Sequence, residues 1–131
     1  EAYIEDHHGG FPIDYKFMCI HGKPFCVLAC TGRETGDTDF MPFTLDWKPL
    51  PEYNKKGELY DIPKPKELDK MILIATKLAN GLELVRVDLY DTGDKIYFGE
   101  MTLTPAGAIF HSWSQKALDD MGSFYYKTMK K

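Results

Sequence analysis

The stretch Val85-Arg86-Val87-Asp88-Leu89-Tyr90 alternates apolar and polar side chains, and a period of two is the signature of a strand with one buried face. Asp91-Thr92-Gly93-Asp94 then supplies turn residues, and an extended pattern resumes from Lys95 to Leu103 before Thr104-Pro105-Ala106-Gly107 breaks it. In the first strand Val85, Val87 and Leu89 share one face, and Arg86 and Asp88 the other. In the second, Glu100 and Thr102 share a face, with Gly99, Met101 and Leu103 on the reverse. The two polar faces coincide when paired residue numbers sum to an even value, as when Asp91 pairs with Lys95, which sets Arg86 opposite Glu100 and Phe98 opposite Asp88. A two-residue turn at Thr92-Gly93 would separate them. The even register collects Val85, Val87, Leu89, Met101 and Leu103 on one buried face, so an odd-length loop or a bulge near Gly93 is predicted.

Two carboxylates on adjacent strands with a cation beside them suit magnesium and phosphate. Magnesium takes one or two carboxylates and completes its octahedron with water and substrate phosphate. An arginine fork such as Arg86 matches phosphate oxygens. The plain alternative is a surface salt bridge between Arg86 and Glu100, with Asp88 merely solvated.

The rest of the chain supplies a second hairpin and two helices. Residues 14–20 and 25–30 flank a Gly-containing turn. If Gly22-Lys23 is that turn, Cys19 falls opposite Cys26. Asp14 and Lys16, two apart, share a strand face, with a solvated hairpin edge as the alternative for either. Residues 31–65 read as a long irregular excursion. Leu68, Met71, Ile72, Ala75, Leu78 and Ala79 form one helical stripe closed by Asn80-Gly81. Ser114 caps a last helix through Leu118 and Met121 toward Tyr125, which Gly122 weakens. The expected fold class is α+β: a mainly antiparallel sheet of two hairpins packed with two helices, in one domain spanning 1–131.

Composition removes several function classes. A net charge of −4 leaves no broad basic surface for a phosphate backbone, which argues against nucleic acid. Apolar runs such as Met71-Ile72-Leu73-Ile74-Ala75 fall far short of the roughly 20 residues that cross a bilayer. Cys19, Cys26 and Cys30 lack metal or disulfide spacing and predict buried thiols in a reducing cytoplasm. His7, His8, His21 and His111 have no ligand spacing. Trp47, Tyr53 and Tyr60 either line a cleft or anchor the long loop, and Lys127, Lys130 and Lys131 form a solvated tail.

The order Arg86-Val87-Asp88, then Glu100-Met101-Thr102 with Pro105-Ala106-Gly107, resembles the R-x-D and E-x-N-x-x-P-G elements of ATP-grasp enzymes. Asp14-Tyr15-Lys16-Phe17, His21-Gly22-Lys23-Pro24, Leu45-Asp46-Trp47 and Ile62-Pro63-Lys64-Pro65 extend the similarity over nearly the whole chain, closest to the TupA-like proteins of teichuronopeptide and bacterial surface-polysaccharide biosynthesis. The resemblance implies the C-terminal lobe of a larger ATP-grasp domain, with the other lobe upstream of Glu1. It implies Mg²⁺ and ATP as cofactors, Asp88 and Glu100 as metal ligands, and Thr102 at the position of a metal-binding Asn. It also implies that Arg86 contacts the terminal phosphate, that Asp14 and Lys16 border the nucleotide, and that Glu1-Ala2-Tyr3-Ile4 ends the adenine hinge strand. Arg33 is then a candidate for an anionic acceptor or an exposed loop cation. The implied reaction is ATP-dependent ligation of a carboxylate to an amine, with a small carboxylate or sugar-linked acceptor. The alternatives are a glycosyltransferase of polysaccharide biosynthesis, and a non-catalytic module that pairs an open sheet edge as a homodimer or with the missing lobe.

Overall fold

Two residues with left-handed backbone, His21 at φ 51° and Gly22 at φ 76°, reverse the chain between β1 (Asp14–Ile20) and β2 (Lys23–Thr31). Two-residue hairpin loops favour this geometry because it matches the twist of the strands. The turn therefore lies one residue earlier than Gly22-Lys23. The computed structural model describes residues 13–31, 39–54, 62–92, 95–103 and 113–129. The expectations placed on Glu1 to Ile4, His7, His8, Arg33, Tyr60, Gly93, residues 105–107, His111, Lys130 and Lys131 lie outside them.

A register shift between Met18 and Cys19 sets Cys19 opposite Pro24 and Cys26 opposite Met18. Cys19 belongs to the core on one face of the sheet and Cys26 to the core on the other, so the expected thiol pair does not form. Burial pushes the Cys19 thiol up to about 12 and raises Cys26 and Cys30 as well. All three are buried and free, and such thiols are inert as nucleophiles.

Five strands form one antiparallel sheet in the order β3-β2-β1-β4-β5, with β3 at Asp39–Phe43, β4 at Leu84–Asp91 and β5 at Ile96–Leu103. The α+β class with two hairpins and two helices holds. The irregular excursion does not hold throughout: it contains β3 and a short 3-10 turn, Pro51–Tyr53. Pro42 breaks the strand pattern in the sequence, and the sheet tolerates it because β3 is an edge strand.

The helices cover opposite faces. α1 (Leu68–Ala79) buries Leu68, Met71, Ala75 and Ala79 against Phe17, Val27, Val85, Val87 and Leu89. Leu78, expected on that stripe, is 37% exposed. α2 (Gln115–Lys127) buries Ala117 and Met121 with Met18, Ile20, Leu28 and Trp113. Ser114 caps it as expected: its hydroxyl accepts from the Ala117 amide and donates to the Glu52 carbonyl. Tyr53 is buried, and its hydroxyl donates to Asp120 at 2.6 Å. Trp47 stacks on Phe43 with centroids 4.1 Å apart and donates to the Ile62 carbonyl. Both aromatics therefore anchor the connecting segment to the core. No described helix is long and apolar enough to cross a membrane.

Candidate functional site

β1 lies at the centre of the sheet and pairs with β4 so that Lys16 is opposite Asp88 and Met18 opposite Arg86. β4 pairs with β5 so that Asp88 is opposite Glu100 and Arg86 opposite Thr102. Side chains at paired positions point to the same face. Asp14, Lys16, Arg86, Asp88, Glu100 and Thr102, the phosphate and metal candidates from the sequence, thus share the face that carries α2. The even register holds from Asp88 to Val85, with the partners corrected: Thr102 rather than Glu100 faces Arg86, and Phe98 faces Leu89 rather than Asp88.

Gly99 produces that register. Asp91 pairs with Ile96 across a four-residue connection, which alone would turn Glu100 away from Asp88. The shift in pairing opposite Asp88 and Leu89 leaves Gly99 as the extra residue of a bulge. Phe98 then stays on the α1 side with Leu89, and Glu100 and Thr102 move to the Asp88 side. The bulge thus lies within β5 and not at the Gly93 turn signal. Leu103 also departs from expectation, being 65% exposed at the sheet edge.

A Cβ at Gly99 would lie 2.7 Å from Tyr90 Cε2 and 3.1 Å from the Asp88 carbonyl oxygen. Gly99→Ala should therefore cost about 1–3 kcal/mol through overpacking. Urea unfolding checks this, and Tyr90→Ala in the same chain should relieve much of the loss by clearing the ring. Tyr90 and Gly99 are the site-shaping residues that sequence reading passed over. Their signals were a glycine inside a strand pattern and a tyrosine two positions after Asp88, hence on its face.

The five charged groups form a continuous chain of contacts from Asp14 to Glu100. Lys16 Nζ donates to Asp14 Oδ2 at 2.6 Å and to Asp88 Oδ2 at 3.0 Å. Arg86 grips Asp88 with both arms of its fork, Nε to Oδ1 at 2.8 Å and Nη2 to Oδ2 at 2.9 Å. Nη2 also reaches Thr102 Oγ1 at 3.2 Å and Glu100 Oε1 at 3.4 Å. Asp14 and Asp88 are 3% and 2% exposed, so neither a solvated hairpin edge nor a solvated Asp88 describes them. Glu100, with its side chain 65% exposed, forms the open rim. Burial works to lower the Lys16 pKa, but the hydrogen bond and charge of Asp14, then the charge of Asp88, outweigh it and hold the amine above its ordinary value.

The donor set fits a hard cation only in company. Among the described residues no three of His, Cys, Asp or Glu converge as a metal cage. Asp88, Glu100 and the Thr102 hydroxyl offer oxygen donors on paired strands, and magnesium is commonly held by two carboxylates once phosphate and water fill the other positions. Lys16 and Arg86 beside them would oppose a bare cation and favour one that arrives with an anion.

The fold and this cluster define an α+β protein with paired acidic and basic side chains on one face of an antiparallel sheet. A family model described as TupA-like ATPgrasp matches residues 1–124, and the chain belongs to that family. Searches of the curated proteins and of the solved structures each found no match. ATP-grasp proteins generally bind ATP with Mg²⁺.

Proposed function

We propose that the face carrying Asp88, Glu100 and Arg86 is the magnesium-nucleotide surface of an ATP-grasp ligase. The reaction would join a carboxylate to an amine at the expense of ATP, in the assembly of a bacterial surface polysaccharide or teichuronopeptide. Family membership supports the reaction class. The observation that carries the site is the direct cross-strand pairing of Asp88 with Glu100 beneath one arginine fork.

Asp88 and Glu100 would hold magnesium, with Thr102 orienting water or completing the donor set. Magnesium there would withdraw charge from phosphoryl oxygens. Arg86 would orient and neutralise the terminal phosphate, and Lys16, held in place by Asp14, would add positive charge behind it. These are electrostatic and positioning roles, which are the usual protein contribution to phosphoryl transfer. The domain would act as one lobe of a larger ATP-grasp unit.

Calorimetric titration with Mg-ATP tests the reading. Glu100→Gln changes a largely exposed carboxylate and should leave the fold intact while weakening magnesium-dependent binding at least about tenfold, roughly 1.4 kcal/mol. Asp88→Asn should weaken it by as much or more. If both variants bind Mg-ATP as the unaltered chain does, the assignment fails. A response to a sugar nucleotide but none to ATP would redirect the site to glycosyl transfer.

A further inference from the structure

One nitrogen atom lies where the three candidate cation ligands meet. Arg86 Nη2 is 2.9 Å from Asp88 Oδ2, 3.2 Å from Thr102 Oγ1 and 3.4 Å from Glu100 Oε1. The other oxygen of Asp88 is taken by Arg86 Nε at 2.8 Å. A guanidinium holds such oxygens at hydrogen-bond length, whereas magnesium draws them to about 2.0–2.1 Å. A cation held by all three oxygens at once would therefore need the place of Nη2.

Burial sharpens the conflict. The side chains of Asp88 and Arg86 are 2% and 13% exposed, so the arginine itself covers the carboxylate. The same Asp88 Oδ2 also accepts from Lys16 at 3.0 Å, and Asp14 clamps that amine at 2.6 Å. Arg86 also holds Asp88, and its Nη2 reaches the rim residue Glu100 at a long 3.4 Å and the Thr102 hydroxyl at 3.2 Å. Of the two cations on Asp88, Arg86 is the one that also meets Glu100 and Thr102.

Charge points the same way. Asp14, Asp88 and Glu100 against Lys16 and Arg86 give a formal sum of −1. A divalent cation added to the cluster as it stands would face two positive groups in contact with its own ligand. Exchanging Arg86 for it leaves the remaining groups neutral in sum.

We propose that Arg86 is a built-in cation latch: its guanidinium occupies the cation position formed by Asp88, Glu100 and Thr102, and it must leave that position before a divalent cation binds there. This rests on the reading of Asp88 and Glu100 as cation ligands given above. An anionic phosphate group is the natural acceptor for the released fork. Metal and polyphosphate therefore bind as a unit, and the metal alone binds poorly.

Paramagnetic resonance of Mn²⁺, used alone as the probe with the full chain, tests the latch without any turnover. Arg86→Met keeps the aliphatic stem and removes the charge, and should tighten Mn²⁺ binding at least about tenfold over the unaltered chain. Adding Asp88→Asn to that variant should abolish the gain. Mn²⁺ binding no tighter in Arg86→Met, or a gain that survives Asp88→Asn, overturns the proposal. Circular dichroism establishes folding. If Arg86→Met does not fold, Arg86→Lys replaces it: an ammonium cannot span Asp88, Glu100 and Thr102 together, so a gain of about threefold is expected and no gain overturns the latch. The Mg-ATP titration separates the two ideas. A Mn²⁺ gain through Asp88 without magnesium-dependent ATP binding leaves the latch and removes the ligase reading. ATP binding that depends on Asp88 and Glu100, with no Mn²⁺ gain in Arg86→Met, does the reverse.

Discussion

Lys16→Met is expected to destabilise the protein by about 3–5 kcal/mol, the range for removing one partner from a buried ion pair. Lys16 is shared by two carboxylates, Asp14 at 2.6 Å and Asp88 at 3.0 Å, whose side chains are 4% and 2% exposed. Methionine occupies similar volume, so the loss measures charge rather than packing. Arg86 remains on Asp88, while Asp14 loses the ammonium that stands 2.6 Å from it. Asp14→Asn added to Lys16→Met should therefore recover part of the loss. The shifted amine fixes the pH window. Its pKa is raised in the folded state, so its contribution is complete below the ordinary amine value of about 10.4 and is lost as pH rises through the folded value. Urea unfolding near neutral pH thus reads the full effect. A cost below about 1 kcal/mol would place the cluster with screened surface pairs and remove the basis for a buried quartet.

The parts of this cluster were legible in the sequence to different depths. Alternation placed Arg86 and Asp88 on one strand face, and Glu100 and Thr102 on another, because a strand has a period of two. Counting apolar residues also gave the right parity for their union, since the alternative register would have set Met101 and Leu103 on the face of Arg86 and Asp88, away from Val85, Val87 and Leu89. Parity does not locate the bulge that produces it. A turn signal at Gly93 drew the expectation there, while the glycine that matters, Gly99, sits inside a strand beside the Tyr90 ring.

The pairing of β1 with β4 was not legible at all. It joins residues 72 apart, Lys16 and Asp88, and is chosen by the packing of both hairpins on α1 rather than by any local signal. That pairing turns a charged strand face into a buried network, because Lys16 arrives over Asp88 only when the hairpins join edge to edge. Lys16 and Asp14 accordingly lie on the central strand instead of an edge. β3 was lost for the opposite reason, a local signal that misled: Pro42 speaks against a strand everywhere except at an edge, and edges are decided by topology.

Phe17→Ala should cost about 3–5 kcal/mol, whereas Phe98→Ala should cost no more than about 1 kcal/mol. The two phenylalanines point to the same side of the sheet, Phe17 through its pairing with Val27 and Val87 and Phe98 through its pairing with Leu89. Phe17 lies on the central strand under α1 and is fully buried, so its removal leaves a cavity that the surrounding strands cannot close. Phe98 lies on edge strand β5 and is 54% exposed, so little covered surface is lost. Urea midpoints of the two variants, compared with the unaltered chain, check the contrast. A Phe98→Ala cost equal to that of Phe17→Ala would mean that something covers the β5 edge in solution. Phe17 also stands one residue from Lys16, with its side chain on the reverse face. A β1 loosened by the cavity should therefore slacken the contacts of Lys16 to Asp14 and Asp88. Combined with Lys16→Met, Phe17→Ala should consequently cost less than the sum of the two single losses, because the network it loosens is already broken.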